Sequence, residues 1–245
     1  LQFRGRNMAV NWSLFFRLVG IGFIVAFHWI AFFHAIKIST VSVALGCMAS
    51  TTLFTSILEP ALVRRPMVWL EVITGFLIIT GLYLIFRFEP DHIAGIITAL
   101  TAAFLAGLFT VLNKIMTVRH RPLVISFYEM GGGFVGITLF MWLNGTFDAG
   151  LQVPLLSDWL FLLLLGVVCT AYAFASSVEV MKVLTAYTVV LTINMEPIYG
   201  ILLAFIFFGE SELMSAGFYI GTMIILAAVF LFPVVSRRLY ARPGT

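Results

Sequence analysis

Thr188, Thr192, Glu196 and Tyr199 follow one another at spacings of four, four and three. At helical pitch this puts hydroxyls, a carboxyl and a phenol on one face. They lie within Val183–Glu210, a stretch long enough to cross a bilayer and otherwise almost wholly apolar. An ionisable group at that depth is costly, so it faces a protein interior or a wet cavity and marks a functional site by default. Pro197 follows directly; it removes a backbone donor, frees a carbonyl one turn earlier and kinks the helix. Two roles are open to Glu196: to bind a polar substrate or exchange a proton, or to cap the backbone groups that Pro197 frees. The stripe reaches two turns beyond the proline, which favours the first.

Other polar groups stand at similar depth. In FHWIAFFHAIK, His28 lies mid-span and His34 near its end, about 240° round the helix, so the two are poorly placed as a metal pair. A hydrogen bond to a neighbouring helix is the first expectation for His28, and a place as substrate or proton ligand the second. Trp29 either lines a cavity or packs. Glu129 shares a face with Ser126, Gly133 and Gly136; it is a proton site, or it holds the bundle through Asn113 or Lys114. Asn113 ends a small and polar face made by Thr98, Ala102, Ala106 and Thr110, and Tyr172 precedes Ala173 and Ser177. Glu59 and Glu179, near span ends, are expected in interfacial ion pairs with Arg64, Arg65 and Lys182. Cys47 and Cys169 lack CxxC or Cys/His spacing and are expected as small packing residues; neither a metal nor a cofactor is expected.

These groups need a membrane to explain them. Of the 245 residues, 62% are hydrophobic and 10% charged, and the mean hydropathy is +1.10, outside the soluble range. Apolar runs near twenty residues recur along the chain, each able to span a core of ~30 Å, and the period-2 alternation of a membrane barrel is absent. The expected fold is an all-α polytopic membrane protein of eight transmembrane helices, near 14–36, 39–62, 67–87, 92–117, 122–144, 157–181, 183–208 and 212–236. An even count puts both termini on one side. That side holds Arg4, Arg6, Arg64, Arg65, Arg119, Arg121, Lys182, Arg237, Arg238 and Arg242, against Lys37 and Arg87 opposite. The bias predicts cytoplasmic termini in a multi-pass protein of the cell (inner) membrane, with Arg17 and Lys114 snorkelling to the cytoplasmic face. Basic residues come singly or in pairs between apolar spans, which argues against nucleic acid as a partner.

Small residues mark the faces along which helices approach. They are Ser42, Gly46, Ala49, Leu53 and Ser56 in the second span, Gly75 and Gly81 in the third, and Gly217 and Gly221 in the eighth. Slid on itself by 145 residues, the chain places Thr40 on Thr185 and the second span on the seventh. Spans one to three then look like spans six to eight. Equivalent helices are separated by five spans and so run in opposite senses, the inverted repeat of many secondary transporters. The expected division is 1–88, three spans of a first repeat, and 89–245, a complete five-span second repeat. Two helices, about 50 residues at ordinary span length, are missing from the first repeat, and the opening on Leu1 is expected to reflect a lost start.

The chain resembles the EamA-type members of the drug/metabolite transporter superfamily. The resemblance rests on Trp29-Ile30-Ala31-Phe32-Phe33-His34-Ala35-Ile36 leading into Ser39-Thr40-Val41-Ser42-Val43-Ala44, and on the matching Ala173 to Thr188 region. It also rests on Glu196-Pro197-Ile198-Tyr199 through Phe208-Gly209-Glu210, similar to the family's proline-containing helix and its terminal Gly-Glu. It implies ten helices in two inverted five-helix repeats, of which this chain matches helices three to ten. Two departures are Thr52 where the second copy has Pro197, and Arg64 where a second Gly-Glu is expected.

The expected function is secondary transport, outward, of a small amino acid-like or drug-like metabolite by alternating access. Glu196, Thr192, Tyr199, Trp29, His28, Asn113 and Tyr172 are the candidate substrate-binding residues, and Glu196 and Glu129 the candidates for proton coupling. Expected partners are the small-molecule substrate, the lipid bilayer and, as an option, a second copy in a homodimer. An uncoupled facilitator or a non-transporting membrane subunit is the alternative. Enzymatic activity is not expected: the chain has no HExxH and no paired aspartates within its spans.

Overall fold

In lipid every backbone polar group must find its partner within the protein, so apolar runs of this length become helices. The computed structural model describes residues 8–64, 66–147 and 154–240. Among the charges used for orientation, Arg4, Arg6, Arg65 and Arg242 lie outside the described residues, as do the side chains of Arg237 and Arg238. The helices are α1 (Trp12–Ile38), α2 (Val41–Met48), α3 (Thr51–Val63), α4 (Trp69–Phe88), α5 (Ile93–Thr117) and α6 (Pro122–Leu143). Then come α7 (Leu156–Leu163), a π-helical stretch (Leu164–Tyr172), α8 (Ala173–Val180), α9 (Ala186–Ile193), α10 (Glu196–Phe208) and α11 (Ala216–Tyr240). No strand occurs among the described residues. Seven helical stretches are long and apolar enough to cross a membrane, and Ala216–Phe232 is a shorter apolar helix at the eighth expected place. The chain is an all-α, multi-pass membrane protein.

It forms two compact units, Leu1–Phe27 with Leu112–Val183, and His28–Val111 with Leu184–Thr245. These are packed bodies rather than sequence repeats, and each draws on both sides of residue 88.

In the first unit α1 lies directly on α6. A Cβ on Gly132 would sit 2.6 Å from the Val19 carbonyl oxygen, and one on Gly22 would sit 2.9 Å from the Gly132 Cα. Leu18, Val124, Ile125 and Val178 make the small core. Lys114 donates from Nζ to the Met181 carbonyl at 2.6 Å, so its charge ends at the C-terminus of α8, where the helix dipole favours a cation. Lys182 meets Glu179 at 2.7 Å. The span from Leu156 to Val180 is only 6% buried. Cys169 lies there and is exposed, contrary to its expected place as a packing residue: the stretch turns it outward, and only Cys47 packs in a core.

In the second unit α4 packs along α11 through Gly81 and Gly221, each standing where a Cβ would come within 2.6 Å of the other's carbonyl oxygen. Ile78, Ile85, Phe218, Ile225 and Val229 fill that seam. On it lie two helices that are each broken in the middle, α2–α3 and α9–α10.

Candidate functional site

The break in the seventh span follows from its sequence. Asn194 closes α9, Met195 precedes α10, and Pro197 stands in the first turn of α10, where its missing N–H costs nothing. The second span breaks at Ala49 and Ser50 without any proline. Hydroxyls take proline's place: Ser50 Oγ donates to the Cys47 carbonyl and Thr51 Oγ1 to the Met48 carbonyl, both at 2.7 Å. Side-chain bonds of this kind compete with the helical ladder and bend it.

The two breaks are joined. Asn194 Nδ2 donates to the Ala49 carbonyl at 3.5 Å and to Thr52 Oγ1. Asn194 is 3% exposed and Thr52 fully buried, so each supplies the partner that water cannot. Asn194→Ala is expected to cost about 1–3 kcal/mol by leaving these acceptors unpaired, measured as a lower unfolding temperature in detergent.

The two broken helices run antiparallel, and each caps the other. The Glu212 carboxylate accepts from the Val41 N–H (3.1 Å) and the Ser42 N–H (2.8 Å), at the start of α2. The Glu59 carboxylate accepts from the Ala186 N–H (3.2 Å) and the Tyr187 N–H (3.3 Å), at the start of α9. A carboxylate is favoured there by the unpaired N–H groups and by the dipole. Thr40 and Thr185 add side-chain caps, accepting from Val43 N–H and Thr188 N–H. Gly209, at φ 63°, ends α10 with a turn that carries Glu212 to α2. Arg64, at φ 58°, also ends its helix, α3, at positive φ, there in the left-handed helical region. Thr40 and Thr185, Ala49 and Asn194, and Arg64 and Gly209 all differ by 145 residues.

Beside this frame the second unit presents Thr192, Glu196 and Tyr199, all exposed on α9 and α10. Glu196 opens α10 next to the break, and Thr192 Oγ1 donates back to the Thr188 carbonyl at 3.1 Å, leaving its oxygen as an acceptor. His28 is 9% exposed; its Nδ1–H donates to the Ala102 carbonyl at 2.9 Å, with Phe32 and Phe109 against the ring. Trp29 is half-buried. The first unit holds the other candidates: Asn113 and Glu129, both fully buried, and Tyr172, 70% exposed. The candidates thus divide between the two units, with Thr192, Glu196 and Tyr199 forming the continuous group.

Sequence reasoning missed Asn194, Thr52, Glu59 and Glu212 as parts of this frame. Asn194 stands two residues before Glu196-Pro197, a signal that a break there needs a polar partner. The expected interfacial role of Glu59 overlooked its hold on α9. The chemistry on offer is that of a polar, acid-bearing face on an interrupted helix: a carboxylate, a hydroxyl acceptor and a phenol can together hold a small polar or cationic group.

The EamA-like transporter family model matches residues 93–233, more than half of the chain. The chain belongs to the EamA-like transporter family. Within this EamA protein the matched region runs from α5 into α11 and includes Glu129, Asn194 and Glu196. A curated relative from Archaeoglobus fulgidus, described as an uncharacterized transporter, is 27% identical over 151 residues, covering 62% of this chain and 52% of that protein. The match therefore spans about half the relative's length. A solved crystal structure aligns at a TM-score of 0.67 and 17% identity, covering 94% of this chain and 79% of that one, which shows the shared fold.

Proposed function

We propose that this EamA protein is a secondary transporter that exports a small amino acid-like or drug-like metabolite across the cytoplasmic membrane by alternating access, without enzymatic chemistry. The observation that carries the reading is the pair of broken antiparallel helices, linked break to break through Asn194, with Thr192, Glu196 and Tyr199 exposed beside the break. Interrupted helices supply the terminal dipoles and unpaired backbone groups with which transporters hold substrates. The landmarks that recur at 145 residues support an inverted repeat, and the charge bias supports cytoplasmic termini. In this reading Thr192, Glu196 and Tyr199 contact the substrate, with Trp29, His28, Asn113 and Tyr172 as the further candidates. The coupling proton is carried by Glu196 or Glu129.

Metabolites accumulating in the medium test this. Cells expressing the gene are compared with cells expressing Glu196→Gln at equal membrane levels, and with empty cells. The expected result is a compound enriched by the parent and not by the variant. Equal enrichment by both removes Glu196 from the mechanism. No enrichment by either overturns export in favour of uptake or a subunit role. Flux that persists in Glu196→Gln and without a proton gradient favours the uncoupled facilitator.

A further inference from the structure

Most buried hydroxyls of the described helices have a settled use: Thr55, Thr74 and Thr110 donate to carbonyls of their own helices at 2.7–2.9 Å. In the first unit one cluster departs from this pattern. Glu129 Oε1 and Oε2, Asn113 Oδ1 and Nδ2, and Ser126 Oγ are all buried and make no hydrogen bond. Glu129 and Asn113 are 0% exposed and Ser126 5%. Ser126 lies one turn before Glu129 on α6, on the same face, and the Asn113 side chain faces the Glu129 carboxyl.

The charged groups on the packed elements are engaged elsewhere or turned outward. Lys114 binds the Met181 carbonyl, Lys182 pairs with Glu179, and Arg17, on α1, is exposed. Tyr128, next to Glu129, donates to the Met8 carbonyl at 3.0 Å. A carboxylate without a cation or donor is among the costliest groups to bury. A carboxylic acid beside an amide is not, because the acid O–H donates to Oδ1 while the amide N–H donates to the acid carbonyl, a two-point match of donors and acceptors. A sodium ion fits less well. The cluster offers four side-chain oxygens at most, the amide N–H₂ would remain unpaired, and α6 runs unbroken from Pro122 to Leu143, freeing no carbonyl there.

We propose that Glu129 and Asn113, adjacent but not hydrogen-bonded as they stand, pair as acid and amide when the Glu129 carboxylate binds one proton. Binding turns the carboxylate into the acid and breaks no covalent bond. Ser126, its hydroxyl buried, stands between the pair and an apolar cleft of about 800 Å³ bordered by Phe15, Val19, Gly132 and Ala171. This gives Glu129 and Glu196 separate duties, the proton on the first and the substrate on the second. The coupling duty rests on the transporter reading above; the proton site itself does not.

Infrared difference spectroscopy on the full-length protein in lipid nanodiscs reads the site directly. A pH step is expected to give a protonated-carboxyl C=O band in the parent that is absent in Glu129→Gln, retained in Glu196→Gln, and shifted in frequency in Asn113→Ala, where the acid has lost its partner. A band that persists in Glu129→Gln overturns the proposal. So does one that sodium chloride removes and choline chloride does not, which would make the site a cation site. In proteoliposomes, substrate accumulation driven by a proton gradient is expected to be lost in Glu129→Gln while exchange between equal solutions continues. Undiminished accumulation overturns the coupling duty. A parent protein that moves nothing overturns the transporter reading and the coupling with it, while the infrared result still decides the proton site.

Discussion

Gly221→Leu is expected to unfold the second unit at a markedly lower temperature than the parent. Even the first carbon of a side chain there would stand 2.6 Å from the Gly81 carbonyl oxygen and 2.9 Å from Ile85 Cγ1. The first obstacle is backbone, which cannot swing aside as a side-chain tip can. Overpacking of a tight core typically costs about 1–3 kcal/mol and sometimes more. Leucine here belongs at the upper end, because α4 and α11 must part along their whole seam. The control has the opposite sign. Gly20 and Gly131 are helical glycines with open space where a Cβ would be, so Gly131→Ala is expected to stabilise by roughly 0.5–1 kcal/mol through helix propensity alone. Thermal unfolding in one detergent, with all three proteins at equal concentration, checks both signs. A Gly221→Leu protein as stable as the parent would mean that the α4–α11 contact is not formed.

The second large effect is expected from the carboxylates that cap the broken helices. Glu212→Ala leaves the Val41 and Ser42 N–H groups without their acceptor, and Glu59→Ala does the same to Ala186 and Tyr187. Glu212 and Glu59 are 6% and 3% exposed, so water does not replace them fully. Two charge-assisted hydrogen bonds lost at a buried helix start cost roughly 2–4 kcal/mol. The two caps lie at opposite ends of the antiparallel pair and share no partner, so the double variant is expected to be additive within about 0.5 kcal/mol. Glutamine at either place is expected to recover only part of the loss, since its amide offers one acceptor and turns a donor toward an N–H group. Strong coupling in the double variant would show instead that the pair melts as one piece once either end is released.

Much of this arrangement was legible in the sequence because helical spacing is a local property. The small and polar faces read in the second, fourth and fifth spans are buried at Ser42, Gly46, Ala49 and Ser56, then Ala102, Ala106, Thr110 and Asn113, then Ser126, Glu129, Gly133 and Gly136, whereas Leu53 and Thr98 on the first two faces are only half-buried. Pro197 marked the seventh span as interrupted, and the mid-span place of His28 gave its bond to another helix as one of two outcomes. What stayed hidden depends on contacts between distant segments. Glu212 and Ser42 are 170 residues apart in sequence, and nothing near either names the other; the Gly-Glu pair drew attention to Glu210, whereas the cap is made two residues later. The break at Ala49 was missed because hydroxyls do there what proline does at its counterpart. Arg64, near the place of a second Gly-Glu, ends its helix at positive φ as Gly209 does, at a cost of about 1–2 kcal/mol for a residue that carries a Cβ.

Reciprocal capping also sets a schedule for the chain's birth. Glu59 is bound by a backbone amide 127 residues further along. At ~5–20 residues per second, ribosomal synthesis delivers that amide roughly 6–25 s after the glutamate, so the carboxylate enters the translocon with its α9 partners still unmade. A nascent chain stalled between α4 and α8 therefore shows the end of α3 without its α9 contacts, a mark by which membrane quality control tells an unfinished copy from a finished one.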